Sequence, residues 1–339
     1  MNNTKQKNLL HGLISAVYTP FNEDGSLNLA EINPYVEFLI RNGMNGLYIC
    51  GSTGEGVNMS VPERMAVAET FVKQVQKRVP CVIQVGANAL TDCLELAAHS
   101  QAIGADAISA NAPSYFRIAD TATLVDWLCH IAGAAPELPF YYYHIPAFTG
   151  VNIDISEFMS LMEKRCPSFR GIKYTEMKAF AFLEGVKYGG GKYEMLWGCD
   201  EMLLTGYMSG GCGGVGSTYA MAPALYRKLI QCWNTKNLEE GQRLQLLSWQ
   251  LVKVILKYSP VHPSGRLVMQ MHGIKVGPCR LPYTPLAYSV AESLKSDLER
   301  IGFFDWALSE STAESKSAVE IPNLATCGEY IASTPSCNS

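Results

Sequence analysis

Short apolar runs recur along the chain, each closed by a glycine-rich or polar turn and followed by a stretch with helical spacing. Residues 13–18, 46–50, 81–85, 107–111, 140–143, 171–174, 194–197 and 213–216 read as strands. Residues 31–42, 61–76, 93–103, 123–132, 155–163 and 201–206 carry the helical pattern between them. Val61-Pro62-Glu63 reads as a helix start, with proline in the first turn and a carboxylate near the positive end of the dipole. Most starts recur at roughly the 30-residue length of a strand-helix unit. Strands that alternate with helices pair in parallel and are covered on both faces.

Eight such units predict a closed (β/α)8 barrel of the α/β class. A doubly wound open sheet is the alternative. Its glycine fingerprint is missing after the first strand, which ends Thr19-Pro20-Phe21. Beyond Ala222-Pro223 the alternation stops, and residues 225–233, 238–257 and 285–301 read as helices without strands. The expected organisation is a barrel over 9–224, a helical extension packed on it over 225–308, and a weakly ordered Ser/Ala/Thr-rich tail over 309–339.

Composition narrows the function. Of 339 residues 48% are hydrophobic, enough for a large core. The net charge is −4 and the densest basic cluster is Lys73 to Arg78, which argues against a nucleic-acid partner. No apolar run reaches the roughly 18 residues of a membrane span. Eleven scattered cysteines, without a Cys-x-x-Cys pair, argue against a disulfide framework or zinc site and for the cytoplasm.

In a parallel barrel the chemistry sits where the strands end at their C-terminal side. The second strand ends Cys50-Gly51-Ser52-Thr53-Gly54-Glu55, a turn with free N–H groups and hydroxyls suited to an anion, or an ordinary strand-helix turn. In Tyr141-Tyr142-Tyr143-His144 the first and third tyrosines share a face. A rim tyrosine can relay protons or simply pack, and His144 reads as structural. The sixth strand holds Lys173. Burial favours a free amine, which forms a Schiff base with a carbonyl compound; the alternative is a lysine at the solvent end of the strand. Tyr143 and Lys173 are expected at one rim on neighbouring strands. Asp200 and Glu201 can accept hydrogen bonds from hydroxyls, with Asp200 also expected to cap the next helix. Cys199 reads as a pocket residue, and the glycines of Gly213-Gly214-Val215-Gly216 let a ligand approach the backbone.

Gly51-Ser52-Thr53-Gly54-Glu55, Tyr143-x-Ile145-Pro146 and Gly171-Ile172-Lys173 resemble, in order and spacing, the motifs of the dihydrodipicolinate synthase and N-acetylneuraminate lyase family of class I aldolases, over roughly residues 9 to 300. Residues 140–147, followed by Thr149-Gly150, and residues 214–219 are similar to its sialic-acid-cleaving branch. The resemblance implies reversible cleavage of N-acetylneuraminate to N-acetylmannosamine and pyruvate. In that chemistry Lys173 forms the imine and Tyr143 moves the proton. Ser52 and Thr53 hold the carboxylate, while Thr175, Gly198, Asp200, Glu201 and Ser217 hold the polyhydroxyl part. The resemblance also implies a homotetramer in which Tyr115 reaches a neighbouring subunit's site, and no metal or organic cofactor.

Two other readings stand beside this one. Another pyruvate-dependent aldolase, including dihydrodipicolinate synthase, is the first, although Phe148 stands where that branch carries an arginine. A non-catalytic 2-oxo acid binding protein is the second.

Overall fold

The structure, a computed structural model, describes residues 8–258 and 260–308. Eight strands form a closed barrel in sequence order. They are β1 (Gly12–Ala16), β2 (Gly46–Ile49), β3 (Cys81–Gln84), β4 (Ala107–Asn111), β5 (Phe140–His144), β6 (Phe169–Tyr174), β7 (Glu194–Trp197) and β8 (Gly213–Gly216). All neighbours are parallel, and β1 closes the ring against β8, with Ile14 opposite Val215. The expected barrel is therefore the fold. β4, β7 and β8 have the expected bounds, whereas β1 ends two residues early, before the Thr19-Pro20 turn.

Alternation along the strands separates two cores. Ile14, Ala16, Tyr48, Val82, Tyr141, Tyr143, Leu196 and Val215 fill the barrel. Leu13, Leu47, Ile83, Ile108, Tyr142, Ile172 and Trp197 face the surrounding helices. Helix Val61–Val75 starts with a complete capping box, Ser60 and Glu63 satisfying each other's backbone N–H.

Besides the single turns Pro146–Thr149 and Phe303–Trp306, two longer helices were not anticipated from the sequence. Ala179–Lys187 fills the gap between β6 and β7. Its signal is weak because Gly185 interrupts it and glycines follow it at 189–191; Gly185 is needed where the chain packs on Met195. Val261–Met271 holds Pro263 and Gly265 in its first turns. Proline is tolerated there because the N–H it lacks has no intrahelical acceptor, and Gly265 leaves room for the Tyr18 hydroxyl. The expected helix over 285–301 begins later, at Tyr288.

The helices after β8 are tied to the barrel mouth. Arg266, 2% exposed, donates to Glu55 Oε1 from Nε and Nη2 at 2.9 and 2.6 Å. It also donates to the carbonyls of Val276 and Thr19. Gln245, on helix Leu238–Tyr258, donates to the Glu201 carbonyl and accepts from the Leu204 N–H. Among the described residues no helix is long and apolar enough to cross a membrane. The expected tail over 309–339 lies outside the described residues.

Candidate active site

The turn after β2 is held in a demanding conformation. Cys50 and Glu55 bracket it with left-handed φ of 57° and 53°, values that cost a non-glycine residue of order 1 kcal/mol each. The buried pair of Glu55 with Arg266 restrains the far end, and Thr19 Oγ1 donates to the Gly54 carbonyl at 2.7 Å. Ser52 is thereby aimed across the mouth, where its Oγ lies 3.3 Å from the Tyr143 hydroxyl.

Register sets the next contact. Tyr143 pairs with Lys173 across β5 and β6, so both side chains rise inside the barrel at one level. Lys173 Nζ sits 3.7 Å from the Tyr143 ring centroid and 4.2 Å from that of Tyr48. The lysine is 5% exposed, so the solvent-end alternative does not hold. Tyr48 meets Tyr143 edge to face at 5.7 Å, and its hydroxyl donates to Ser109 at 3.0 Å. Tyr48 and Ser109 were not singled out in the sequence; alternation along β2 and β4 was the only available signal.

A cavity of about 400 Å³ opens beside these groups, lined by Ser52 and Tyr143, by Gln84 and Asn111 from β3 and β4, and by His262 and Tyr283 from the C-terminal extension. Across the mouth, on β6 to β8, lie the residues expected to hold hydroxyls. The strand ladder continues past the strand ends through Thr175 N–H to His144 carbonyl and Gly198 N–H to Tyr174 carbonyl, both 2.8 Å. The Thr175 hydroxyl is buried without a hydrogen-bond partner among the described residues, packed against Gly198. Glu201 and Ser217 are half-buried at this edge.

Asp200 does not cap the next helix, contrary to expectation. Its Oδ2 accepts from the Thr218 N–H at 2.9 Å and the Thr218 hydroxyl at 2.7 Å, because the chain brings the loop after β8 against it. Gly216 makes that approach possible, since a Cβ there would collide with the carboxylate. Burial pushes the Asp200 pKa up to about 7, with the Thr218 N–H pulling it down and Glu201 adding a smaller rise.

Other expected residues fall outside this constellation. His144 stacks on Tyr174 at 4.9 Å, outside the barrel, 3.3 Å from Glu176; burial lowers its pKa, and Glu176 partly offsets this. It is structural, as read from the sequence. Cys199 is buried and its thiol pKa is pushed up by desolvation, which suits a wall and not a nucleophile. Thr53 is buried behind Ser52. Tyr115 is 80% exposed in the loop after β4, edge to face with Phe116 at 5.0 Å, and Asn88 Oδ1 accepts from its backbone N–H. Phe148 is exposed at the edge of the cavity. A cation does approach this turn: Arg117 folds over Gly150, where a Cβ would sit 2.9 Å from its Nε.

Known proteins bear on this arrangement. Residues 9–301 match the model of the dihydrodipicolinate synthetase family. A curated N-acetylneuraminate lyase from Xenopus tropicalis is 36% identical over 292 residues, covering 85% of this chain and 93% of its own. One from Rattus norvegicus is 33% identical over 304 residues, covering 88% and 95%. The solved structure of Proteus mirabilis N-acetylneuraminate lyase superposes with a TM-score of 0.85 at 34% identity, covering 87% of this chain and 100% of that one. With a family match across most of its length and relatives 33–36% identical over most of both chains, the chain belongs to the dihydrodipicolinate synthetase family.

Proposed function

We propose that the protein is a class I aldolase that cleaves N-acetylneuraminate reversibly to N-acetylmannosamine and pyruvate. The observation that carries this reading is the contact of Lys173 Nζ with the Tyr143 ring at 3.7 Å, inside a parallel barrel at its C-terminal mouth. The names of the relatives support the same substrate.

The chemistry follows from the groups. The Lys173 amine adds to the C2 carbonyl of the 2-oxo acid, and water leaves, giving a protonated imine. Tyr143 takes the proton from the C4 hydroxyl as the C3–C4 bond breaks, and passes its own phenol proton through Ser52, 3.3 Å away, to the substrate carboxylate. The electron pair of that bond passes into the imine as an enamine, and the aldehyde leaves. A proton then returns to C3, and water releases pyruvate and the free amine. Ser52 links Tyr143 to the turn that holds the carboxylate, with Thr53 beside it. This fixes the imine face relative to the tyrosine. Thr175, Gly198, Asp200, Glu201 and Ser217 receive the polyhydroxyl chain. The exposed Tyr115 and Phe116 suit burial by a neighbouring copy in a tetramer, and nine free cysteines among the described residues suit the cytoplasm.

The test is pyruvate release from N-acetylneuraminate, with Lys173→Ala as control. Pyruvate from the native protein alone supports the reading, and its absence removes this substrate. The position of Arg117 over Gly150 favours a second reading, an aldolase whose aldehyde carries its own acid group. Condensation of pyruvate with acid-bearing aldehydes, faster than with N-acetylmannosamine, would select it.

A further inference from the structure

The Asp200 carboxylate is buried at the mouth, and its hydrogen bonds lead away from the site in one direction. Thr218 Oγ1 lies 2.7 Å from Asp200 Oδ2 and 2.6 Å from the Tyr226 hydroxyl. Thr218 has one hydroxyl proton. When Asp200 is ionised that proton points to the carboxylate, so Tyr226 must be the donor to Thr218. Tyr226 is itself fully buried on helix Pro223–Thr235, close to Ser248 on helix Leu238–Tyr258. The same helix holds the Glu201 carbonyl through Gln245 at 2.8 Å. One surface of the C-terminal extension thus grips both the backbone and the carboxylate of the Asp200-Glu201 pair.

We propose that Tyr226 is a positioning residue for the reaction: acting through Thr218, it holds the Asp200 carboxylate ionised and turned so that Oδ1 is left to accept a hydroxyl of the aldose portion. The inference rests on the sialic acid reading above. Two observations separate it from simple packing. An apolar side chain would fill a fully buried place more cheaply than a phenol that needs a partner. The chain of donors also ends on a site carboxylate that no arginine or lysine pairs among the salt bridges of the described residues. The ionisable groups that face Asp200 are Lys173 on β6, Cys199 and Glu201 on its own segment, Tyr18 beyond the end of β1, and Tyr219 and Tyr226 beyond β8. Lys173 alone among these favours the charged form through its charge, so the neutral donors carry the remainder. Removing Tyr226 leaves Thr218 less polarised and Asp200 easier to protonate.

The experiment is Tyr226→Phe, which keeps the ring. The expected result is a rise in KM for N-acetylneuraminate of about threefold to tenfold, the worth of one hydrogen bond, with kcat little changed. The acid limb of kcat/KM moves up by roughly half to one pH unit. Borohydride trapping of pyruvate on Lys173, followed by mass, stays at the native level. Thr218→Ser behaves as the native protein, and Thr218→Val exceeds Tyr226→Phe in both effects. A native KM and acid limb in Tyr226→Phe overturn the proposal, and so does a rise in KM with no movement of the limb. If the native protein traps pyruvate yet does not cleave N-acetylneuraminate, the substrate reading fails. The relay is then judged without substrate, by the carboxyl 13C titration of Asp200, assigned with Asp200→Asn. A midpoint that Tyr226→Phe raises upholds it, and an unmoved midpoint overturns it.

Discussion

Tyr141 and Tyr143 stand two residues apart on β5, point into the same barrel and are equally hidden from solvent, at 1% and 4% exposure. Their surroundings differ. Tyr141 lies toward the N-terminal end, where its hydroxyl donates to Glu194 Oε2 at 2.7 Å. Glu194 also accepts from the Leu9 and Leu10 N–H groups at 2.8 and 3.0 Å and from Arg170 Nε at 2.8 Å. That end is a closed plug in which the carboxylate's lone pairs are committed. Tyr143 lies at the mouth, where its hydroxyl has one hydrogen-bonding contact among the described residues, 3.3 Å from Ser52, beside an open cavity. Polar groups satisfied by one another stabilise a fold; a polar group left partly unsatisfied beside a cavity and an amine has capacity for a substrate. One strand supplies both because alternation sends every second side chain inward, and the depth of each decides what it meets.

The strongest way to break this comparison is to remove the amine. Lys173→Ala is expected to lower pyruvate release by about 10⁴-fold or more, the scale of losing a covalent nucleophile. It should also abolish the borohydride-trapped adduct while leaving the circular dichroism spectrum native. Residual adduct in that variant would mean another amine does the chemistry. Next in size is Tyr143→Phe, expected to cost about 10²- to 10⁴-fold in kcat. The adduct with pyruvate should still form, because imine formation requires Lys173 and not the C4 proton transfer. A variant with native kcat would leave Tyr143 as packing, like its neighbour.

Much of this was legible in the sequence, and the reason is local. Strand ends in a parallel barrel are marked by short apolar runs and the turn residues that follow, so Lys173, Tyr143, Ser52 and the Asp200-Glu201 pair could be placed at one rim from chain order. What was not legible is long-range. Arg266 reaches Glu55 across 211 residues, and nothing in the local pattern of either announces the other. The helix that carries Arg266 was itself hidden by Pro263 and Gly265. The direction of the Asp200 carboxylate likewise depends on Thr218, which the fold brings up from the next strand-helix unit.

The Glu55–Arg266 pair lies between the two regimes, being a stability element that shapes the site. Arg266→Met is expected to cost about 3–5 kcal/mol, because it leaves Glu55 buried without its cation. Urea unfolding reads the loss. KM for the 2-oxo acid should rise with it, since the left-handed turn that carries Ser52 loses its restraint. A midpoint within experimental scatter of native would show that Arg280, whose N–H donates to Glu55 Oε2 at 3.0 Å, suffices to hold the turn.

Acidity separates the sheltered core from the mouth in another way. His272 is packed between Phe38 and Phe303, at 6.1 and 5.6 Å, and bonds to the Met221 carbonyl at 2.8 Å. Burial pushes its pKa down to about 4, partly offset by that bond. As pH falls from its ordinary value of 6.5 toward 4, the unfolded chain takes up a proton that the folded chain refuses, so stability is lost. Asp200 works in the opposite sense. Its folded pKa of about 7 stands above its ordinary 3.8, so the folded chain holds the extra proton and stability is lost as pH rises between the two. The opposed slopes partly cancel in the native protein. Asp200→Asn should therefore unmask a fall of a few kcal/mol, about 3, on acidification through this window. His272→Gln should unmask a comparable fall on raising pH. Parallel stability–pH curves for the two variants would remove this account.

The smallest effect is the one that sharpens the comparison most. Tyr141→Phe keeps the ring in the barrel and removes one donor from Glu194, which retains Arg170 and the two backbone N–H groups. The expected cost is about 1–3 kcal/mol of stability, the penalty of one lost hydrogen bond to a buried charged group. The urea midpoint should drop while kcat and KM stay native, the reverse of Tyr143→Phe. Among the described residues the hydrogen bonds of Glu194 run to Leu9, Leu10, Tyr141 and Arg170, none of them at the mouth, so the lost donor is expected to reach the Lys173 amine only through general loosening. A tenfold fall in kcat with an unchanged midpoint would show that the plug transmits to the mouth. The division of β5 into a structural and a chemical half would then have to be given up.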